Sequence, residues 1–248
     1  MSNSNNIITA FELHDATAIE NYFKTQGNPN EMRKSEPLFN RLADMYSRSA
    51  KFKECVRIFI AYGLQFDDAP LLAVLADDAD KLETLIKADP NIIHRTYNHF
   101  KCTFTPLRGG TLLHYAAEYR HLACATVLLN NGADINARAG LDKNGFGGHT
   151  PIFHLVNSLG GHELVLLHLF LQHQPDLDIT VKALVWGEGY EWETFIPAVN
   201  PLSYAMMGLL PQMHRDPITV AKVVSLLMKQ AYGMDYQPPN VPNAYLTN

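Results

Sequence analysis

The sequence predicts an all-α solenoid: helix–turn–helix units stacked in one direction, with extended finger loops between them. Three observations carry that expectation. The stretch TLLHYAAEYRHLACATVLLNNGADINA (111–137) has degenerate copies along the chain, starting at Glu36, Ala69, Thr150 and Asn200. A proline or its equivalent recurs at the start of each first helix, at Pro37, Pro70, Leu112, Pro151 and Pro201. The second helix of the best copy runs through Leu128-Leu129 to Gly132, where a left-handed helix stop is wanted. Self-similarity at this period marks an array in which each unit buries its apolar faces only against its neighbours.

Each unit has its own reasons. Near residues 8–35, DATAIENYFKTQGNPN reads as the second half of a capping unit. Its Phe11, Ile19, Tyr22 and Phe23 face the array, while Glu12, Glu20 and Asn21 face outward. The second unit (36–68) carries extra residues between its helices, YSRSAKFKE, and almost no finger before Ala69. The third (69–106) opens with APLLAVLADDADKLETLIKADPNII. In the fourth (109–147) Thr111 can cap the first helix, and Ala116-Ala117 let neighbouring helices approach closely. Cys124, Ala125, Leu128 and Leu129 then make a second-helix face wide enough for both neighbours. The fifth (148–196) starts at Thr150-Pro151 and the sixth (199–235) at Asn200-Pro201; a proline at the first helical turn sacrifices no intrahelical bond. Residues 1–235 thus read as one domain, and 236–248, rich in proline and asparagine, as a mobile tail.

The steps between proline-equivalent positions are 33, 42, 39 and 50 residues, against about 33 for an unmodified unit. In the fourth unit Leu112 and Gly132 keep the regular offset, so its extra length lies in the finger RAGLDKNGFGGH. The largest insertion, TVKALVWGEGYEWETFIPAV (180–199), also follows a helix pair.

With Thr150-Pro151-Ile152-Phe153 and Thr111-Leu112-Leu113-His114-Tyr115-Ala116 matching the T-P-L-H-x-A pattern, the chain resembles the ankyrin repeat family over about residues 12–232. The resemblance implies a threonine–histidine bond tying adjacent turns together, and a concave groove flanked by fingers. It places Tyr115, Glu118 and Tyr119 in that groove, with Asn157, Tyr204 and Met207 at comparable places in later units. Two tyrosines one helical turn apart offer contact area at little entropic cost.

Composition narrows the function. With net charge −5 and pI near 6.1, there is no electrostatic reason to expect nucleic acid or an anionic membrane as partner. Three cysteines without paired spacing suggest a reducing compartment. No signal peptide or membrane span is read, and the expected location is cytoplasmic. The eleven histidines do not assemble a metal motif: after His162-Glu163 the second HExxH histidine position is Leu166, and His168 falls on another face. Cys55 and Cys124 read as small core residues, and Cys102 as a loop thiol with no visible base.

The aromatic insertion is different. Both tryptophans, Trp186 and Trp192, flank Tyr190 in WGEGYEWET. These rings either fold into a mini-core of their own or form an interface hot spot, and both can hold at once. Because finger four and the insertion leave successive units, Phe146, Trp186, Tyr190 and Trp192 are expected to share one edge, rimmed by Lys143, Glu188, Glu191 and Glu193. The expected function is therefore non-enzymatic recognition of another protein by a monomeric platform, with no cofactor and no metal. The alternatives are a metal-dependent hydrolase using the histidine-rich middle, and a purely structural assembly subunit.

Overall fold

A computed structural model describes residues 3–25, 27–45, 47–98, 107–157, 164–185, 194–209 and 215–236. Helix pairs follow one another along the chain. They are α1 (Asn3–Glu12) with α2 (Ala16–Thr25), α3 (Leu38–Ala43) with α4 (Phe52–Ala61), and α5 (Ala69–Leu75) with α6 (Ala79–Ala88). Next come α7 (Leu112–Glu118) with α8 (Leu122–Asn130), α9 (Phe153–Val156) with α10 (Leu164–Gln172), and α11 (Pro201–Met207) with α12 (Pro217–Tyr232). First helices pack on first helices (α1 on α3, α5 on α7, α7 on α9, α9 on α11), and second helices pack on second helices (α2 on α4, α6 on α8, α8 on α10). The solenoid is as the repeat predicts. Helix α1 is an addition: the first unit has both helices, although NSNNIITAFE shows no repeat mark.

Local chemistry sets the helix ends. Asp68, Asp78 and Asp216 cap α5, α6 and α12, each accepting a backbone N–H from the first turn. Before α7, His114 Nδ1 accepts the Thr111 N–H at 3.0 Å while its Nε2 donates to the His149 carbonyl at 3.1 Å. One neutral tautomer therefore ties helix start to finger end. Between paired helices the same left-handed residue recurs: His14 at φ 47°, Asp77 at 50° and Arg120 at 61°.

Fingers one and three are hairpins with two-residue strands. The first pairs β1 (Met32–Arg33) with β2 (Glu36–Pro37); Lys34 and Ser35 both take positive φ, as a two-residue hairpin turn requires. The other pairs β3 (Thr96–Tyr97) with β4 (Gly110–Thr111). The insertion of unit five adds a longer antiparallel hairpin, β5 (Val181–Val185) with β6 (Thr194–Val199).

At the N-terminal end the core is aromatic. Phe59 meets Phe23 at 4.8 Å, Phe39 at 5.4 Å and Phe11 at 5.9 Å between ring centroids. Phe11, Ile19 and Phe23 are buried, while Glu12 and Asn21 are exposed. The extra residues between α3 and α4, together with the first turns of α4, do more than lengthen unit two. Ser47 donates to the Glu12 carbonyl, and the Phe52 ring stacks on Tyr119 at 4.4 Å. Lys53 reaches Asp77 at 2.8 Å, and Arg57 donates to the Ala76 and Asp77 carbonyls. This segment staples units one, two, three and four together.

Candidate partner-binding surface

The staple changes the fate of the groove residues. Tyr119 donates its hydroxyl to the Ala43 carbonyl at 3.0 Å, with the Arg48 guanidinium 4.8 Å from its ring centre. Tyr115 is 0% exposed and packs edge-on against Tyr97 of finger three at 5.5 Å. Glu118 is 6% exposed: Oε1 accepts from Arg48 Nε at 2.9 Å and Oε2 from His154 Nδ1 at 2.7 Å. The expected tyrosine face is therefore not open to a partner. The reason is specific: residues 47–52, some seventy positions upstream, close over the end of α7. Burial alone would raise the Glu118 carboxyl; the His154 hydrogen bond and the Arg48 charge outweigh it and hold the group at about 2.

Asn157 is also buried, donating from Nδ2 to the Tyr204 carbonyl at 3.0 Å and accepting from Arg215 Nε at 3.1 Å. Tyr204 is half-buried against Phe153, its hydroxyl pushed up by burial. These side chains hold units together and leave little for a partner. The histidines of the middle are equally inward. His114, His149 and His154 lie 4.9–6.2 Å apart between ring centres, all buried. No group of three His, Cys, Asp or Glu among the described residues is placed to hold a metal ion. Burial pushes the Cys55 thiol up to about 12 and Cys124 higher still, so neither is a ready thiolate. Cys102 and His162 lie outside the described residues.

The finger–hairpin edge carries some of the exposed apolar surface. Finger four is closed by Asp142, whose Oδ1 accepts from the Asn144 and Phe146 N–H groups at 2.8 and 2.9 Å. Gly145, Gly147 and Gly148 take positive φ beside it. At Gly147 a side chain has no room: a Cβ there would sit 2.1 Å from the Gly140 carbonyl oxygen. The finger is bonded to the β5–β6 hairpin: Lys182 Nζ donates to the Asn144 carbonyl at 2.9 Å and Arg138 to the Thr180 carbonyl at 3.2 Å. The half-buried Phe146 meets Phe195 edge-on at 6.0 Å. Beside them Leu141 is 62% and Phe195 52% exposed.

Finger four and the insertion thus lie side by side. Leu141 and Phe195 were not among the expected site residues. A leucine in a finger of mostly small and polar residues, and a phenylalanine on a period-two strand, are the signals the sequence offers. Trp186, Tyr190 and Trp192 fall in the segment joining β5 to β6 and lie outside the described residues. Among those residues no helix is long and apolar enough to cross a membrane.

Comparison with known proteins agrees with the architecture. Residues 9–139 and 71–183 match the family model described as "Ankyrin repeats (3 copies)". Among curated proteins, ankyrin repeat protein 14 of vaccinia virus (strain Western Reserve) is 34% identical over 77 residues, 31% of this chain and 29% of that protein. The ankyrin repeat domain-containing protein OPG023 of cowpox virus (strain Brighton Red) gives the same identity over 31% of this chain and 10% of its own length. The dog transient receptor potential cation channel subfamily V member 1 is 37% identical over 78 residues, 32% of this chain and 8% of the channel. The matches thus span from under a tenth to under a third of these relatives. Two solved structures align over most of the chain at low similarity. EF0377, an ankyrin repeat protein, has TM-score 0.41 and 14% identity over 92% of this chain and 99% of its own. The human ASB11 ankyrin repeat domain has TM-score 0.40 and 13% identity over 96% and 100%.

Proposed function

Because this chain belongs to the ankyrin repeat family, we propose that it is a non-enzymatic recognition platform that binds another protein along the finger–hairpin edge. Ankyrin repeats are generally protein–protein interaction modules, and stacked units offer one long rigid surface. The observation that carries the proposal is the locked pair of finger four and the β5–β6 hairpin, presenting Leu141 and Phe195 to solvent beside the Phe146 ring. A loop tied to its neighbour through Lys182 and Arg138 needs less ordering when a partner binds. Exposed apolar side chains on such a rigid edge, rimmed by Lys143 and Asp142, have the composition of an interface centre. Trp186, Tyr190 and Trp192, which connect the two strands, extend the same patch in this reading.

The test is quantitative capture from extract on the immobilised chain and on a Leu141→Ser, Phe195→Ser double variant, with recovered proteins identified by mass spectrometry. The expected outcome is one discrete partner whose binding falls at least tenfold in the variant, with the melting temperature unchanged because both side chains are exposed. A partner that binds both proteins equally rejects this edge, and no discrete partner at all rejects the recognition role.

A further inference from the structure

The shortest link between units leaves a gap. Unit two passes from α4 to α5 through residues 62–68 without a finger, while fingers one and three stand on either side. The result is a slot of about 720 Å³, a volume that takes a small ligand or a short stretch of chain. Its floor is aromatic and aliphatic: Phe39 and Phe66 meet at 5.5 Å, with Leu71 and Tyr97 beside them. Met32 on finger one forms a wall and is 61% exposed. The base is rigid, because Asn30 of finger one donates to the Gly63 carbonyl and accepts from the Gln65 N–H across the missing finger.

The lip of the slot is acidic. Asp67 is exposed there, and Asp68 stands next to it, capping α5 and accepting from the Tyr97 hydroxyl at 3.4 Å. Among the described residues lining the slot the only cation is Arg95, and Asp89 already holds it at 2.7 Å. An apolar floor under an uncompensated negative lip has one complement.

We propose that this slot is a second binding site, which receives an extended segment of a partner protein carrying an apolar side chain beside a lysine or arginine. The apolar side chain lies on Phe66 and Met32, and the cation sits at Asp67. Charge complementarity at such a lip steers encounter and rejects acidic segments. The site is lined by other residues than the Leu141–Phe195 patch and does not depend on it.

The test pans a random heptapeptide display library against the whole chain and titrates fluorescein-labelled copies of the enriched peptides. The expected sequences carry Lys or Arg within two positions of Leu, Ile, Met or Phe. Their affinity is expected to fall at least tenfold in Asp67→Lys, severalfold in Met32→Ser, and not at all in Phe195→Ser. The two slot substitutions are at exposed positions, and an unchanged melting temperature shows that the fold is kept. Enrichment of peptides without a cation, no enrichment, or affinities indifferent to both slot variants overturns the proposal. Peptides lost only in Phe195→Ser belong to the finger–hairpin edge, which also overturns the slot while supporting that edge.

Discussion

Glu118 is held on both sides: Arg48 and His154 each give its carboxylate one short bond inside a buried site. Removing one member of a buried pair leaves the other charge uncompensated, which costs about 3–5 kcal/mol, whereas removing both charges is often nearly neutral. Glu118→Gln is therefore expected to lower the unfolding free energy by roughly 3 kcal/mol, read as a lower urea midpoint with unchanged slope. Arg48→Met has a cost of its own, since the guanidinium also donates to the Met45 and Ser47 carbonyls. The double variant Arg48→Met, Glu118→Gln should therefore lose less than the two single losses added, and strictly additive losses would mean that the ion pair is not what Glu118 contributes. The same residue shows how far sequence reaches at this scale. Its place on one face with Tyr115 and Tyr119 follows from helical spacing. That the face is closed does not, because the closing group is Arg48 in a segment seventy residues away, and its length was visible where its destination was not. Leu141 was hidden for another reason: exposure of a single leucine depends on what the neighbouring hairpin leaves uncovered.

Elements divide by whether the repeat speaks for them. Proline, threonine and glycine at fixed offsets made the helix pairs legible, and the fingers of units one and three fell between them as expected. Helix α1 and the β5–β6 hairpin lie outside the register of the repeat. Ser4 and the three asparagines of α1 are poor helix markers, and Pro197 within TFIPAV argues against a strand unless it sits at an edge. Finger four was legible as a tight glycine-shaped loop, and its glycines are not equivalent to the helix stop. Gly147, at φ 107°, would drive a Cβ into the Gly140 carbonyl, whereas Gly132, at φ 87°, has nothing within 4 Å of that position. Gly147→Ala is therefore expected to cost the upper part of the range of about 1–3 kcal/mol for a strained backbone site, and to speed amide exchange across residues 138–148. Gly132→Ala should cost about 1 kcal/mol without loosening the finger. Equal effects of the two substitutions, or an unchanged exchange pattern in Gly147→Ala, would mean that the close approach to Gly140 does not fix the finger.

Over the whole molecule the buried histidines couple stacking to pH. His14 bonds Ser49 of unit two, His121 bonds the Val74 carbonyl of unit three, and His114 and His149 sit where unit four meets unit five. Burial, the largest cause in each, pushes them down: His14 and His121 to about 4, His114 to about 3 and His149 to about 2. For His14 the nearby Arg48 charge adds to it, and for His114 and His149 the neighbouring histidines do; for His121 Asp77 opposes it. The sign follows from these directions. An unfolded histidine takes its proton near 6.5, the native ones do so only well below, so acid favours the unfolded chain. Their contribution is complete above pH 6.5 and is lost as pH falls from there toward the folded values near 4 and below. Each group adds at most about 1.4 kcal/mol per pH unit, so four together add at most about 5.5 kcal/mol per unit against a total stability of about 5–15 kcal/mol. Glu118, also depressed, adds to the loss only below about 4.5. Because the four rings are spread over several unit boundaries, acid should melt the array as one cooperative transition, with a midpoint around pH 5 by helical circular dichroism. His149 is the position to change, since its Nε2 has no hydrogen-bond partner among the described residues and its anchoring role is played by its carbonyl. His149→Leu should shift the acid midpoint downward by removing one proton from the unfolded side, while stability at pH 7.5 changes little. A chain whose urea midpoint is flat between pH 7 and pH 5 would refute the linkage outright.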